Sequence, residues 1–361
     1  MYTVTSAVYE PGRAAAARTQ PTLGYVSERW LEQLRGAVKP STWSNYAAIA
    51  RKYIPPELAA APISSVTGEE LDSLLSAAAG PPGRERLSAS RLNSISTVIG
   101  SIFDYACRNG LCELKYRSRP RRGAHSDAKA PLSTAEQRAL ERRLLADGGP
   151  VSAGILLSLY TGLRIGELCA LRWGDISLAA GTLSVRRTVQ RIRVLDAGPY
   201  EPRTRLIFDE PKSASSRRMI PLPAFLTDIL RPFEAAAEVW LLTGSAERFM
   251  EPRTLQNRFR SALDAAGVRR VNFHILRHTF ATNCVSLGCD AKTLSELLGH
   301  ADVGVTMNTY VHPSVSLKRS LIERLGPRCP LKAKIASQNA YFAKPPREGA
   351  LTAVSSIPSR L

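Results

Sequence analysis

Three short groups of residues in the last third of the chain carry side chains suited to phosphate chemistry. They read His274-Ile-Leu-Arg-His278, Leu297-Leu-Gly-His300 and Asn308-Thr-Tyr-Val-His312. Upstream stand Thr161-Gly-Leu-Arg-Ile-Gly-Glu167 and Pro211-Lys-Ser213. Arg164, Arg277 and Lys212 supply cations, His274 and His300 supply proton donors and acceptors, and Tyr310 supplies a hydroxyl. These are the parts needed to attack a phosphodiester without a metal ion. An exposed phenol is a poor nucleophile near neutral pH, since it ordinarily titrates at about 10. A cluster of Arg, Lys and His favours the phenolate and stabilises the pentacoordinate phosphorane formed by its attack. Arg is fitted to two non-bridging oxygens at once.

Each residue taken singly has a plainer reading. Arg164 reads as a surface residue of an apolar stretch. His274 and Arg277, at i and i+3 on one helix face, read as a structural pair. His300, directly after Gly299, reads as a helix C-cap, and Tyr310 as a core aromatic. It is their order along one chain that argues for chemistry. His274 and His278, at i and i+4, are also spaced for two ligands on one helix face, but the Glu of a His-Glu-x-x-His motif is missing. Cys107/Cys112 and Cys284/Cys289 have Cys-x4-Cys spacing without the knuckle or nearby His of a zinc site, so no metal is expected.

These side chains need a scaffold, and the composition supplies one. The chain has 361 residues, 44% of them hydrophobic, enough for two domains with real cores. Its formal net charge of +18 suits a polyanionic partner such as nucleic acid. No apolar run approaches the roughly 18 residues of a membrane span, and the first residues lack the apolar core of a signal peptide. The expected location is the cytoplasm, in association with the nucleoid, where the six Cys stay reduced.

The pattern predicts a mainly α protein with a small antiparallel sheet. Residues 1–21 read as a flexible tail. Residues 22–114 read as a bundle of about four helices. These begin at Thr22, at Ser41 as N-cap, at Thr67 and at Ser88, with Gly110 ending the last. Residues 115–129 carry six Lys/Arg (Lys115, Arg117, Arg119, Arg121, Arg122 and Lys129) against one Asp. They read as a basic linker crossing a phosphate backbone. A second domain spans 130–325. It opens with a helix capped at Thr134 or Ser133. Next come an apolar helix at 151–160 and a short one at 164–171. Three strands follow, at 182–189, 205–208 and 217–222, forming one sheet. Helices are then predicted at about 225–239, 254–266, 274–287, 291–298 and 305–311. Residues 326–361 read as a basic, largely disordered tail, with six Lys/Arg and one acid.

Four boxes in order resemble the signatures of the tyrosine recombinase (phage integrase) family. They are Thr161 to Asp175, His274 to Thr282, Leu294 to His300 and Asn308 to His312. The resemblance covers about residues 130–325. The helical segment resembles that family's SAM-like core-binding domain more loosely. It implies a C-shaped clamp around duplex DNA and the following roles. Arg164 and Arg277 hold the scissile phosphate, and His300 hydrogen-bonds it. Lys212, in Pro-Lys-Ser where the family usually has Thr-Lys-Thr, protonates the leaving 5′ oxygen. His274 assists proton transfer and Glu167 orients the active-site groups. Tyr310 attacks, giving a 3′-phosphotyrosine and a 5′-hydroxyl. The covalent bond stores the energy of the cut, so no ATP and no other cofactor is expected.

The resemblance also implies a homotetramer on paired DNA sites, with an accessory DNA-bending or directionality protein as a further partner, and no membrane. Only about 21 residues precede the helical bundle, too few for the arm-type DNA-binding domain of many integrases. The expected function is integration or excision of a mobile element. The alternatives are a Xer-like resolvase of chromosome or plasmid dimers, a topoisomerase IB-like enzyme and an inactive DNA-binding relative.

Overall fold

The computed structural model describes residues 20–80, 87–117, 130–196, 198, 201–209, 217–300 and 302–310, apart from the side chains of residues 305 and 308–310. Tails, most of the basic linker and the segment holding Lys212 therefore lie outside the described residues, as do Arg119, Arg121, Arg122 and Lys129.

The first bundle is built from α1 (Leu23–Leu34), α2 (Pro40–Tyr53), α3 (Pro56–Ala60), α4 (Gly68–Ala79) and α5 (Ala89–Arg108). Its start signals are polar side chains that accept from otherwise unpaired backbone N–H groups. Thr22 and Ser88 cap α1 and α5, and Thr67 forms a reciprocal capping box with Glu70. At α2 the expected Ser41 cap is replaced. Pro40 occupies the first turn, where its missing N–H is no loss, and Lys39 is the cap residue. The helix α3 was not expected; it begins at the second proline of Pro55-Pro56, just past the end of α2. Leu23, Val26, Trp30, Ile49, Leu71, Ile95, Ile102 and Phe103 form the core. Tyr116 belongs to it as well, 5% exposed, with its hydroxyl donating to Asp72 at 2.7 Å. The first residues of the expected linker are thus held by the bundle, and Arg117 pairs with Asp104 at 2.7 Å.

The second body opens with α6 (Thr134–Asp147), capped by a Ser133–Glu136 box, and continues through α7 (Gly149–Thr161) and α8 (Ile165–Cys169). The strands form two sheets rather than one. β1 (Ile176–Ser177), β2 (Thr182–Val185) and β5 (Arg218–Pro221) make an antiparallel sheet in the order β1-β2-β5. β3 (Thr188–Arg193) and β4 (Thr204–Asp209) make a separate hairpin. The single strand expected at 182–189 breaks at Arg186-Arg187, where Arg187 Nη2 turns to buried Asp175 at 2.6 Å. The helix expected at 225–239 stops early. α9 (Ala224–Leu230) passes into a single 3-10 turn at Arg231–Phe233, where Pro232 cannot continue the ladder and Glu234 leaves in an extended conformation. α10 (Pro252–Ala265), α11 (His274–Ser286), α12 (Ala291–Leu298) and α13 (Val303–Tyr310) follow.

The core of this body lies between α7, α8, α10, α11 and the sheet, around Leu156, Leu168, Leu183, Phe259 and Leu276. The chain leading into it is tied back: Leu132 N–H donates to Thr279 on α11, and Arg269 donates to the carbonyls of Ala130 and Pro131. The two bodies meet where α2 packs on the β3–β4 hairpin. Ser44 donates to the Arg193 carbonyl at 2.9 Å, and Arg35 and Arg51 both reach Asp196, at 3.1 and 2.8 Å. Among the described residues no helix is long and apolar enough to cross a membrane.

Candidate active site

The site is organised by the C-terminus of α12. A helix end leaves its last carbonyls without intrahelical partners and carries partial negative charge. Here three successive carbonyls take an arginine each. Leu297 O accepts from Arg218 Nε at 2.7 Å, Leu298 O from Arg277 Nη2 at 2.8 Å, and Gly299 O from Arg164 Nη2 at a longer 3.4 Å. Gly299 makes this turn possible, since its φ is +65° and a Cβ there would meet Arg218 at 2.9 Å. Three arginines from three distant parts of the sequence are thereby gathered at one helix end.

Arg277, in the first turn of α11, is 1% exposed and is the largest fully buried side chain among the described residues. Its Nη1 donates to Gly162 O at 2.9 Å, so the cation lies between the C-terminal ends of α7 and α12, where helix dipoles favour positive charge. Gly162 itself has φ +67°, and a Cβ there would lie 2.7 Å from Phe280 and 2.9 Å from Leu298. Arg164 is the N-cap of α8. Glu167, three residues on, accepts from its backbone N–H at 2.9 Å and from its Nη1 at 2.7 Å. The carboxylate also takes Arg218 Nη1 and Nη2, at 3.2 and 3.0 Å. Burial works to raise the Glu167 pKa, and the adjacent Arg218 and Arg164 guanidiniums outweigh it, holding the carboxyl down at about 2.

His300 follows Gly299 and stands against Arg277, with Nε2 2.7 Å from its Nη2, while Nδ1 is 2.7 Å from Thr306 Oγ1 on α13. Partial burial, and then the positive charges of Arg277, Arg164 and Arg218, push its pKa down to about 4. His274 begins α11 with its ring at the solvent surface, in edge-to-face contact with His278 at 5.0 Å. Protein crowding on its inner side lowers its pKa to about 4, with His278, Arg277 and Arg164 adding to the effect. Both rings are therefore neutral near pH 7. Tyr310 is the last residue of α13, ten residues after His300; its side chain lies outside the described residues, as does Lys212.

Arg164, Glu167, Arg277 and His300 thus stand in one hydrogen-bonded cluster, with His274 close enough to feel its charges. Sequence reasoning gave no role to Arg218 or Thr306. For Arg218 a signal existed: on β5 it shares a face with buried Ile220, while Met219 between them is 65% exposed. Next to it runs an open groove of about 530 Å³ along β2 and β5, lined by Arg186, Arg187, Arg217 and Arg218.

A family model described as the phage integrase family matches residues 126–316, more than half of the chain. The chain belongs to the phage integrase family. A second model, the phage integrase N-terminal SAM-like domain, matches residues 22–75 of this tyrosine recombinase. Its relatives include a XerC-like tyrosine recombinase of Caldanaerobacter subterraneus subsp. tengcongensis, 27% identical over 84% of this chain and 82% of the relative. The integrase of Staphylococcus phage L54a is 24% identical over 48% of this chain and about half of its own length, 51%. Among solved structures, the Tn1549 transposon integrase in complex with transposon right end DNA superposes with a TM-score of 0.66, at 21% identity, over 85% of this chain and 100% of that one. A lambda integrase tetramer bound to a Holliday junction gives a TM-score of 0.59, at 18% identity, over 81% of this chain and 80% of that one. These two superpositions show a shared fold. As a family member the protein is a tyrosine recombinase, and its reaction is site-specific recombination of DNA.

Proposed function

We propose that this recombinase integrates or excises a mobile element, using Tyr310 as nucleophile. The reading rests on the cluster of Arg164, Arg277 and His300 at the end of α12, directly before the short helix that Tyr310 ends. Arg164 and Arg277 hold the non-bridging oxygens of the scissile phosphate and offset charge developing on the phosphorane. Arg277 is buried. Its engagement requires His300 to release Nη2 to a phosphate oxygen, whereupon His300 donates to the same phosphate. Glu167 holds Arg164 in place, Lys212 protonates the leaving 5′ oxygen, and His274 assists proton transfer. The products of cleavage are a 3′-phosphotyrosine and a 5′-hydroxyl, and attack by a 5′-hydroxyl of another strand reverses the step. The groove of Arg186, Arg187 and Arg217, with the linker residues Lys115, Arg117, Arg119, Arg121, Arg122 and Lys129, contacts the DNA backbone. Four protomers act on two duplexes, as in the lambda integrase tetramer on a Holliday junction.

The test is recombination in a plasmid that carries, as direct repeats, the DNA segments flanking the protein's own gene. Excision of a circle with joined ends, dependent on the protein, supports the mobile-element reading. The XerC-like relative favours a second reading, dimer resolution. That reading predicts recombination at a chromosomal or plasmid dimer site and none between the flanking segments.

A further inference from the structure

The hydrogen bonds of His300 determine which of its nitrogens carries the proton. Nε2 faces Arg277 Nη2 at 2.7 Å, and Nδ1 faces Thr306 Oγ1 at 2.7 Å. A guanidinium has only donors, so Nε2 must accept and carries no proton. The proton of the neutral ring therefore sits on Nδ1 and is donated to Thr306. Thr306 is fully buried and lies one helical turn before Tyr310 on α13. Its hydroxyl can accept from Nδ1–H or, after rotation, donate to a bare Nδ1. In this arrangement His300 therefore presents an acceptor where a phosphate oxygen needs a donor.

We propose that Thr306 is a positioning residue that holds the His300 ring in place through both of its tautomers. It accepts from Nδ1–H while Nε2 accepts from Arg277, and it donates to Nδ1 once a phosphate oxygen takes the Arg277 N–H. In the second state Nε2–H donates to the phosphate. The proton balance is neutral: Nδ1 gives one proton to water and Nε2 takes one from water. Because Thr306 and Tyr310 share a helix, the same hydrogen bond couples the seating of the nucleophile helix to the state of His300. The catalytic consequence rests on Tyr310 being the nucleophile; the tautomer assignment does not.

The experiment uses the full chain labelled with ¹⁵N-histidine. Two-bond proton–nitrogen spectra distinguish the tautomers, and the His300 signals are identified by their loss in His300→Gln. Wild type is expected to show His300 as the Nδ1–H form. Thr306→Val, which removes the hydroxyl at nearly constant volume, is expected to keep the Nδ1–H form, because Arg277 still makes Nε2 an acceptor, while the ring loses its second anchor. Covalent attachment to a nicked duplex is then timed. Thr306→Val is expected to slow it about tenfold, the loss of roughly one hydrogen bond, while Thr306→Ser stays near wild type. An Nε2–H ring in the wild-type protein overturns the proposal, as does attachment by Thr306→Ser slowed to a tenth of the wild-type rate. The spectrum and the serine variant judge it even should the valine variant fail to fold. If wild type forms no adduct at all, the nucleophile assignment fails, and the spectrum still decides the tautomer.

Discussion

Glu167 and Arg218 form a buried ion pair whose energetic coupling can be measured. The carboxylate is 4% exposed and receives both Nη atoms of Arg218, whose side chain is 5% exposed. Glu167→Gln removes the negative charge and leaves the Arg218 cation buried. Breaking one side of such a pair costs about 3–5 kcal/mol. In a body of this size 1 kcal/mol shifts Tm by about 2–4 °C, so a loss of about 4 kcal/mol lowers it by about 8–16 °C. Arg218→Met leaves Glu167 with Arg164 and its backbone N–H, so it is expected to cost less, about 2–3 kcal/mol. The double variant buries neither charge. Its expected cost is about 3 kcal/mol less than the sum of the singles. The assay is urea or thermal unfolding of all four proteins, with covalent attachment measured alongside. Every variant is expected to attach at least about tenfold more slowly, since each loosens the mount of Arg164 or of the α12 end. Additivity within about 0.5 kcal/mol would refute the reasoning, because uncoupled residues cannot be holding one another.

Three further outcomes follow from the same geometry. Gly162→Ala places a Cβ at φ +67°, 2.7 Å from Phe280, and should destabilise by about 1–3 kcal/mol and slow attachment, both read on the purified variant. Acid should unfold the protein partly through Glu167. Its carboxyl is held near 2 in the fold against an ordinary value of 4.5, so this contribution is whole above pH 4.5 and lost as pH falls through 2. It amounts to about 3 kcal/mol and should be absent from Glu167→Gln in stability-versus-pH curves. DNA affinity should fall steeply with salt. Neutralising Arg186, Arg187 and Arg217 together should reduce the slope of log K against log salt by about 0.9 for each phosphate they would otherwise neutralise.

The helices and their ends were largely legible in the sequence, because capping is a short-range matter. Thr67 with Glu70, Ser133 with Glu136, Asp290 before α12 and the glycines at 162 and 299 each announce a boundary within a few residues. Where two local signals competed, the covalent one won: Pro40 displaced the Ser41 cap, and Pro232 ended a helix expected to reach Val239. The split of the sheet was not legible, since the break at Arg186-Arg187 falls where Arg187 pairs with Asp175, more than ten residues earlier. At the site, the residue types and order drew attention to Arg164, Glu167, His274, Arg277, His300, Lys212 and Tyr310. What no spacing reveals is that three arginines share the carbonyls of one helix end. Nor does it reveal that Arg277 is buried, or that Thr306 faces His300. Those facts depend on how distant elements pack, not on the pattern within any one of them.

The central claim is that Tyr310 attacks DNA from this cluster, and covalent trapping tests it most directly. Wild-type protein and Tyr310→Phe are incubated, in EDTA, with nicked duplexes drawn from the DNA flanking the gene. Adducts are isolated in SDS and the linked peptide is sequenced by mass spectrometry. The account predicts an adduct with wild type alone, joined through Tyr310 to a DNA 3′-phosphate, and nearly equal DNA affinity for both proteins. An adduct that persists in Tyr310→Phe, or one joined through any other residue, would contradict it.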